Sequence, residues 1–239
     1  MELNLSLANN ADIPAITDFC DRHRGRWLPV PDDVGFRQAI SDGWLFMAAE
    51  TGCPVSCDSI HAVGGTFTYG ERPAEGSRSV LVHELASMVV DGELGGLHPT
   101  SMQQLMLTLR IVALARALAE DACLLVSVAG GNVRSIENVL AVGATEFNAP
   151  AWLEAERSSW CPATEVGAVR DFIVTPACFK AGVRRLGTFL AEPSLFREDR
   201  NSRLRIERRF RTSIPWLTTQ ALDRLETGDD PRWETSCPA

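Results

Sequence analysis

In SVLVHELASMVV, residues 79–90, an acid and a histidine stand side by side inside an apolar run. Side chains alternate between the two faces of a strand, so Glu84 shares its face with Val82, Ala86, Met88 and Val90 while His83 points the other way. A carboxyl among such neighbours calls for a chemical role or an arginine partner. Burial raises a carboxyl's pKa toward neutrality, where a general base works best. Glu84 is therefore the candidate base, with His83 as its alternative. Tyr69, the one tyrosine of the chain, closes the run IHAVGGTFTYG (60–70) near a hairpin. It could face the same cleft as a proton donor or serve as a structural strand aromatic. Other chemical signatures are missing. The four histidines have no metal-ligand spacing, and Cys53 and Cys57 lack the second pair that a zinc site requires. Neither G-x-S-x-G nor G-x-x-x-x-G-K-[ST] occurs. No metal is expected.

Those residues need a scaffold, and its elements follow from periodicity and punctuation. A strand over Leu3–Leu7 leads to a helix from Ala11 to His23, with Asn10 as N-cap and Pro14 in the first turn. A second short helix covers 31–42. The runs 44–50, 60–70 and 79–90 are rich in β-branched and aromatic residues and bounded by Gly, Pro and Ser, which predicts three antiparallel strands. A helix over 101–120 is apolar around most of its circumference and hence buried; Ser101 and Gln104 have capping-box spacing. CLLVSVA (123–129) reads as a central strand. Asn132 to Val142 reads as a helix closed by Gly143, and strands over 144–153 and 169–175 follow. Residues 191–203 read as a linker and 226–239 as a frayed tail. The order is β-α-α-β-β-β-α-β-α-β-β, a mixed sheet flanked by helices.

Composition agrees with a folded, water-facing protein: 239 residues, 45% hydrophobic and 23% charged. Arg110 and Arg116 interrupt the longest apolar stretch, so no membrane span is expected. The start MELNLSLANNAD lacks the pattern of a secretion signal, and an odd count of seven cysteines reads as reduced thiols in a cytoplasm. Charge is uneven. Lys180 and the arginines 184, 185, 197, 200, 203, 205, 208, 209 and 211 face only Glu192, Glu198, Asp199 and Glu207, in a chain of formal net charge −8. Such a segment docks on the acidic body or meets an anionic partner. RLRIERRFR alternates basic and apolar residues, a pattern compatible with nucleic-acid phosphates, but the overall charge argues against nucleic acid.

Within VSVAGGNVRSIENVLAVGATEF, Asn132 follows the strand, Ser135 stands three residues on and Gly143 eleven on. With the element order, this resembles the GNAT superfamily of N-acyltransferases over residues 1–176, leaving 177–239 as a helical, Arg-rich extension packed on that domain. The resemblance implies an α/β (α+β) fold with a mixed, mostly antiparallel, splayed sheet. It implies transfer of an acetyl or other acyl group from acetyl-CoA, another acyl-CoA or an acyl carrier protein to a small-molecule or peptide amine, with a homodimer as an assembly to consider. Asn132 and Ser135 would lie along the pantetheine arm, which could insert between diverging strands as a false strand. Glu84 matches the place where members with a carboxylate base carry it. A main-chain N–H near Met88 or Val89 would face the oxyanion, and Val90 matches the strand-end Val.

Two departures follow from the same alignment. The family's loop Q/R-x-x-G-x-G/A would cradle pyrophosphate at the helix N-terminus. Here, in DGELGGLHPTS, Gly95 takes the basic position and His98 and Thr100 take the glycines, while Pro99 removes a donor. Gly95, Gly96, Thr100 and Ser101 could still form an anion nest, with a cation supplied by Arg72, Arg78 or the C-terminal arginines. The tyrosine that many members carry seven residues after the Asn is Val139, which leaves Tyr69 as the candidate acid. A weakened phosphate loop beside an intact arm motif suits a carrier-protein donor, or a non-catalytic binding or sensing module. For the acceptor, Trp27, Asp32, Asp33 and Trp44 could form a cationic-amine pocket, with core packing as the other role for the tryptophans.

Overall fold

The structure, a computed structural model, describes residues 2–23, 33–73, 79–85, 89–91, 102–117, 122–160, 168–198, 205–228, 233 and 238. The chain opens with β1 (Glu2–Leu7), a 3-10 turn (Asn10–Asp12), α1 (Ile13–His23) and α2 (Asp33–Ser41). Asn9, not Asn10, caps this start. Its side chain accepts the Ala11 N–H at 2.9 Å, and Asp12 accepts the Asn9 N–H at 2.9 Å in return. Ile13, Ile16, Phe19 and Cys20 recur at helical spacing and are buried on one face.

The two long strands expected at 60–70 and 79–90 are each divided in two. The first becomes β3 (Ile60–Gly64) and β4 (Phe67–Pro73), the second β5 (Ser79–Glu84) and β6 (Val89–Val90). With β2 (Phe46–Glu50), β3 and β6 belong to one sheet while β4 and β5 belong to another. Gly64 and Gly65 mark the break, because residues without a Cβ weaken a strand and let it turn. One hairpin thus runs through both sheets and bends where they part.

The remaining elements are α3 (Met102–Ala117), β7 (Ala122–Ala129), α4 (Val133–Ala141), β8 (Thr145–Phe147), α5 (Ala151–Trp160), β9 (Val169–Val174), α6 (Pro176–Ala191), β10 (Ser194–Glu198), β11 (Arg205–Thr212) and α7 (Thr219–Thr227). The first sheet has the order β10-β11-β1-β2-β3-β6, the second β4-β5-β7-β9-β8. β5 and β7 pair in parallel and β1 with β11 in parallel; all other pairs are antiparallel. The strand expected over 144–153 ends at Phe147, and the sequence from Ala151 forms α5. Leu153 on α5 packs against Val80, Val82, Cys123, Leu125 and Ile173.

The main core lies on the other face. There α3, α4 and α6 cover Leu124, Val126, Phe172 and Val174 of one sheet together with Leu3, Leu5, Phe46 and Ala62 of the other. Every residue from Leu105 to Leu114 is buried, as an all-round apolar helix must be. α6 approaches α3 closely at Gly182, where a Cβ would stand 3.2 Å from Thr108 Cγ2.

Beyond α6 the chain is not simply helical. β10 occupies part of the expected linker 191–203, and β11 joins the sheet beside β1, with Leu3 opposite Phe210. The alternation in RLRIERRFR is the period of a strand. Arg184 pairs with Glu226, Arg211 with Glu2, and Arg185 donates to the Ala141 carbonyl at the end of α4, so these three arginines dock within the molecule. The tail expected to fray carries two buried residues, Trp233 and Pro238. Trp233 bridges Ala122 and meets Phe179 edge to face, their ring centroids 6.0 Å apart.

Candidate functional site at the fork of the two sheets

The parallel pairing of β5 with β7 ends at Glu84 opposite Leu125, and the Leu85 N–H makes a last bond to the Leu125 carbonyl at 2.8 Å. Past that point β7 continues to Ala129 with its ladder on β9 only. β6, on the other prong, pairs with β3 and forms the edge of its sheet. Among the described residues the facing edges of β6 and of 126–129 have no strand between them. Glu84 is the last residue of β5 before the fork opens.

Glu84 is buried, 3% exposed, and the Tyr69 hydroxyl donates to its Oε2. Local backbone brings the pair together. The register runs Phe67 to Glu84 and Thr68 to His83, then skips to Gly70 opposite Val82, so Tyr69 is the extra residue of a β-bulge. Bulges re-aim a side chain, and Gly70 at φ +84° takes a conformation that a side chain would disfavour. Trp152 of α5 meets the Tyr69 ring edge to face with centroids 5.9 Å apart. Its indole N–H donates to the Pro238 carbonyl at 2.9 Å, so the C-terminal segment reaches this face of the site. Arg72, a candidate phosphate cation from the sequence, lies over the Trp152 ring at 4.6 Å and pairs with Glu156 at 2.6 Å.

His83 does point to the opposite face. It is fully buried, with Nδ1 3.0 Å from Thr68 Oγ1 and its ring edge-on to Trp44 at 5.0 Å. Its Nε2 has no partner among the described residues. Burial pushes the imidazole down to about 4, against a smaller upward pull from Asp42, so it is neutral at physiological pH. Trp44 packs against the main core. Trp27 and Asp32 lie outside the described residues, as does the Asp33 side chain.

Asn132 caps α4, its Oδ1 accepting the Ser135 N–H at 3.2 Å. Ser135 Oγ in turn accepts from Gln103 Nε2 at 2.6 Å, Gln103 Oε1 accepts from Asn138, and Gln104 Nε2 donates to Asn138 Oδ1 at 3.0 Å. This amide network, unnoticed in the sequence, ties the first turn of α3 to the first two turns of α4. Its signal was Asn138, an amide at a buried helical position. Asn132 Nδ2 carries no hydrogen bond among the described residues. Val89 and Val90 turn their side chains into the core and pair by main chain with Val63 and Ala62. Met88, Gly95, Gly96, Thr100 and Ser101, with the whole loop 92–101, lie outside the described residues.

A second polar cluster stands at the start of that loop. His61 lies between two carboxylates, Nδ1 3.0 Å from Asp91 Oδ2 and Nε2 3.2 Å from Glu50 Oε1, while the Asp91 N–H donates to the His61 carbonyl at 2.9 Å. Among the described residues no group of three or more His, Cys, Asp or Glu could hold a metal ion. No described helix is long and apolar enough to cross a membrane.

No family model matches the chain, and no curated protein does. Solved structures do. A chain of the NatC complex bound to Gag peptide and CoA aligns with a TM-score of 0.51 at 7% identity, covering 73% of this chain and 98% of that one. An N-acetyltransferase from Staphylococcus aureus Mu50 aligns at 0.47 and 9%, covering 72% and 95%. A GNAT superfamily phosphinothricin acetyltransferase from Sinorhizobium meliloti in complex with acetyl-CoA aligns at 0.42 and 14%, covering 62% and 77%. At such identities the likeness is one of fold. The mixed, mostly antiparallel, GNAT-like arrangement expected from the sequence is the arrangement observed.

Proposed function

We propose that the chain is an acyltransferase that moves an acetyl or other acyl group from a pantetheine thioester, on CoA or an acyl carrier protein, to an amine of a small molecule or peptide. The observation that carries this reading is the hydrogen bond from the half-buried Tyr69 to the buried Glu84 at the mouth of the fork. An amide-bearing arm laid between β6 and the 126–129 half of β7 would run along two edges that pair with no other described strand on that side, with the Nδ2 of Asn132 near its path. CoA and a peptide in the NatC complex support the same donor and leave a peptide acceptor open.

The chemistry follows from the pair. The amine nitrogen attacks the thioester carbonyl carbon and forms the C–N bond, and its proton passes to the Glu84 carboxylate. A main-chain N–H near Met88 or Val89 would stabilise the oxyanion. As the C–S bond breaks, Tyr69 gives its hydroxyl proton to the departing sulfur, and the proton held on Glu84 restores the phenol. The net transfer is one proton from amine to thiol.

Calorimetric titration with acetyl-CoA, dephospho-CoA and pantetheine is the first test, followed by thiol release with a panel of amines. Binding of all three and a fall of about 10²- to 10⁴-fold in kcat for Glu84→Gln are expected. Full activity in Glu84→Gln would sink the assignment of the base. Binding with no turnover on any amine would mark the alternative, a non-catalytic GNAT-like module. Failure of free CoA forms to bind, with activity on an acyl carrier protein, would identify the carrier as donor.

A further inference from the structure

We propose that Arg110 is the positioning residue of this site: from the middle of α3 it pins the parting of the two sheets and holds the Glu84 carboxylate ionised against Tyr69. The inference rests on reading Glu84 as the base.

Arg110 is the one charged residue in the fully buried stretch of α3 from Leu105 to Leu114, and it is 0% exposed. Burying a guanidinium costs several kcal/mol unless its donors and charge are met, and an apolar side chain would fill the same space without that cost. Two of its donors are met by main-chain carbonyls. Nη1 donates to the Gly65 carbonyl at 2.6 Å, and Nε donates to the Met106 carbonyl one turn back at 3.2 Å. Gly65 lies between β3 and β4, where the hairpin leaves one sheet for the other, so its carbonyl needs a donor from elsewhere. Gly64 clears the path, since a Cβ there would stand 3.2 Å from Arg110 Nε. Phe67, two residues after Gly65, is the cross-strand partner of Glu84.

Glu84 acts on its charge as well. Burial lowers the Arg110 guanidinium to about 9, and the negative charge of Glu84 acts in the opposite direction. Arg110 therefore joins three parts of the site: helix α3, the hinge of β3 and β4, and the acid at the end of β5. While Glu84 is ionised the buried pair is neutral overall. When Glu84 takes a proton, the guanidinium is left buried without its counter-charge, which drives that proton onward to Tyr69. Arg110 touches neither donor nor acceptor in this scheme and acts through Glu84.

Because Tyr69 is the only tyrosine, tyrosine labelled with 13C at Cζ yields a single resonance that reports on Glu84 through their hydrogen bond, whether or not the chain turns over. It is followed between about pH 4 and 9 in the wild type, Glu84→Gln, Arg110→Lys and Arg110→Met. The wild-type resonance is expected to show a titration step that Glu84→Gln abolishes. Arg110→Met should move the step up by about one unit or more, because losing a neighbouring cation favours the protonated acid. Arg110→Lys, which keeps the charge, should leave it near the wild-type position while lowering the melting temperature. If Arg110→Met does not fold, Arg110→Gln keeps a donor for Gly65 and reads the same step. A step at the wild-type position in either folded, neutral variant overturns the proposal, as does a wild-type resonance with no step that depends on Glu84. In an active chain the acid limb of kcat/KM moves with the step. An inactive wild type with the expected steps would end the acyltransferase reading while leaving the Arg110–Glu84 coupling in place.

Discussion

His83 and Glu84 are neighbours in sequence with opposite fates, because a strand sends them to opposite faces. Glu84 meets the Tyr69 hydroxyl, whereas His83 meets Thr68, Trp44 and the core. The His83 site has a thermodynamic consequence. Its imidazole titrates near 6.5 when unfolded and at about 4 when folded. Between those values the unfolded chain binds a proton that the folded chain refuses, so stability falls as pH drops through the window and is unaffected by this group above it. The loss reaches about 3 kcal/mol at the acid end. Urea midpoints measured from pH 7 to 4.5 should decline in the wild type and much less in His83→Leu. Equal slopes in the two proteins would refute the assignment. Glu146, lowered by its hydrogen bond to Arg170, adds its own loss only at the acid end of this window and below it, in the ordinary carboxylate range. The acid in the strand was visible in the sequence, as was its choice between a chemical role and an arginine partner. That the two roles are proposed together depends on α3 bringing Arg110 to the Gly65 carbonyl, although a lone arginine inside an all-round apolar helix was the available signal.

At the scale of elements, helix α4 begins at Asn132, a cap for which a second job on the pantetheine arm is proposed. Asn132 caps the helix through Oδ1 and leaves Nδ2 available to a ligand. Serine is nearly as good a cap but carries no amide donor. Asn132→Ser is therefore expected to change stability by less than about 1 kcal/mol and to weaken pantetheine and CoA binding by calorimetry. Unchanged affinity would leave Asn132 as a cap alone. The helix itself was legible from periodicity and from Gly143, which sits at φ +92° just past its end. α5 was not, because APAWLEAERSSW follows a strand-like run and its helical character shows only once Leu153 packs on the sheet. The division of the long hairpin strands was half legible. Gly64 and Gly65 announce a weakness, but alternation cannot say that the chain changes sheets there.

For the whole molecule, the C-terminal third completes the body. β11 adds Phe210 beside Leu3, and Trp233 reaches back across the chain to Ala122 and Phe179. Trp233→Ala should destabilise by about 3–5 kcal/mol, the range for removing a buried indole, as measured by urea unfolding. A change under about 1 kcal/mol, typical of an exposed residue, would mean that the tail is indeed peripheral. The exposed Arg211–Glu2 pair, by contrast, adds little, since solvent screens such pairs. Taken alone, the sequence determined the elements from β1 to β2, the buried character of α3, the start and stop of α4 and an acid inside the strand run 79–90, because capping, periodicity and alternation are local properties of the chain. Only the tertiary structure decided that the sheet forks at Glu84, that a bulge turns Tyr69 onto it and that Arg110 and Gly65 meet behind it. Those facts depend on contacts between residues 45 or more apart in sequence or on the register of paired strands, and neither is written in the spacing of any one segment.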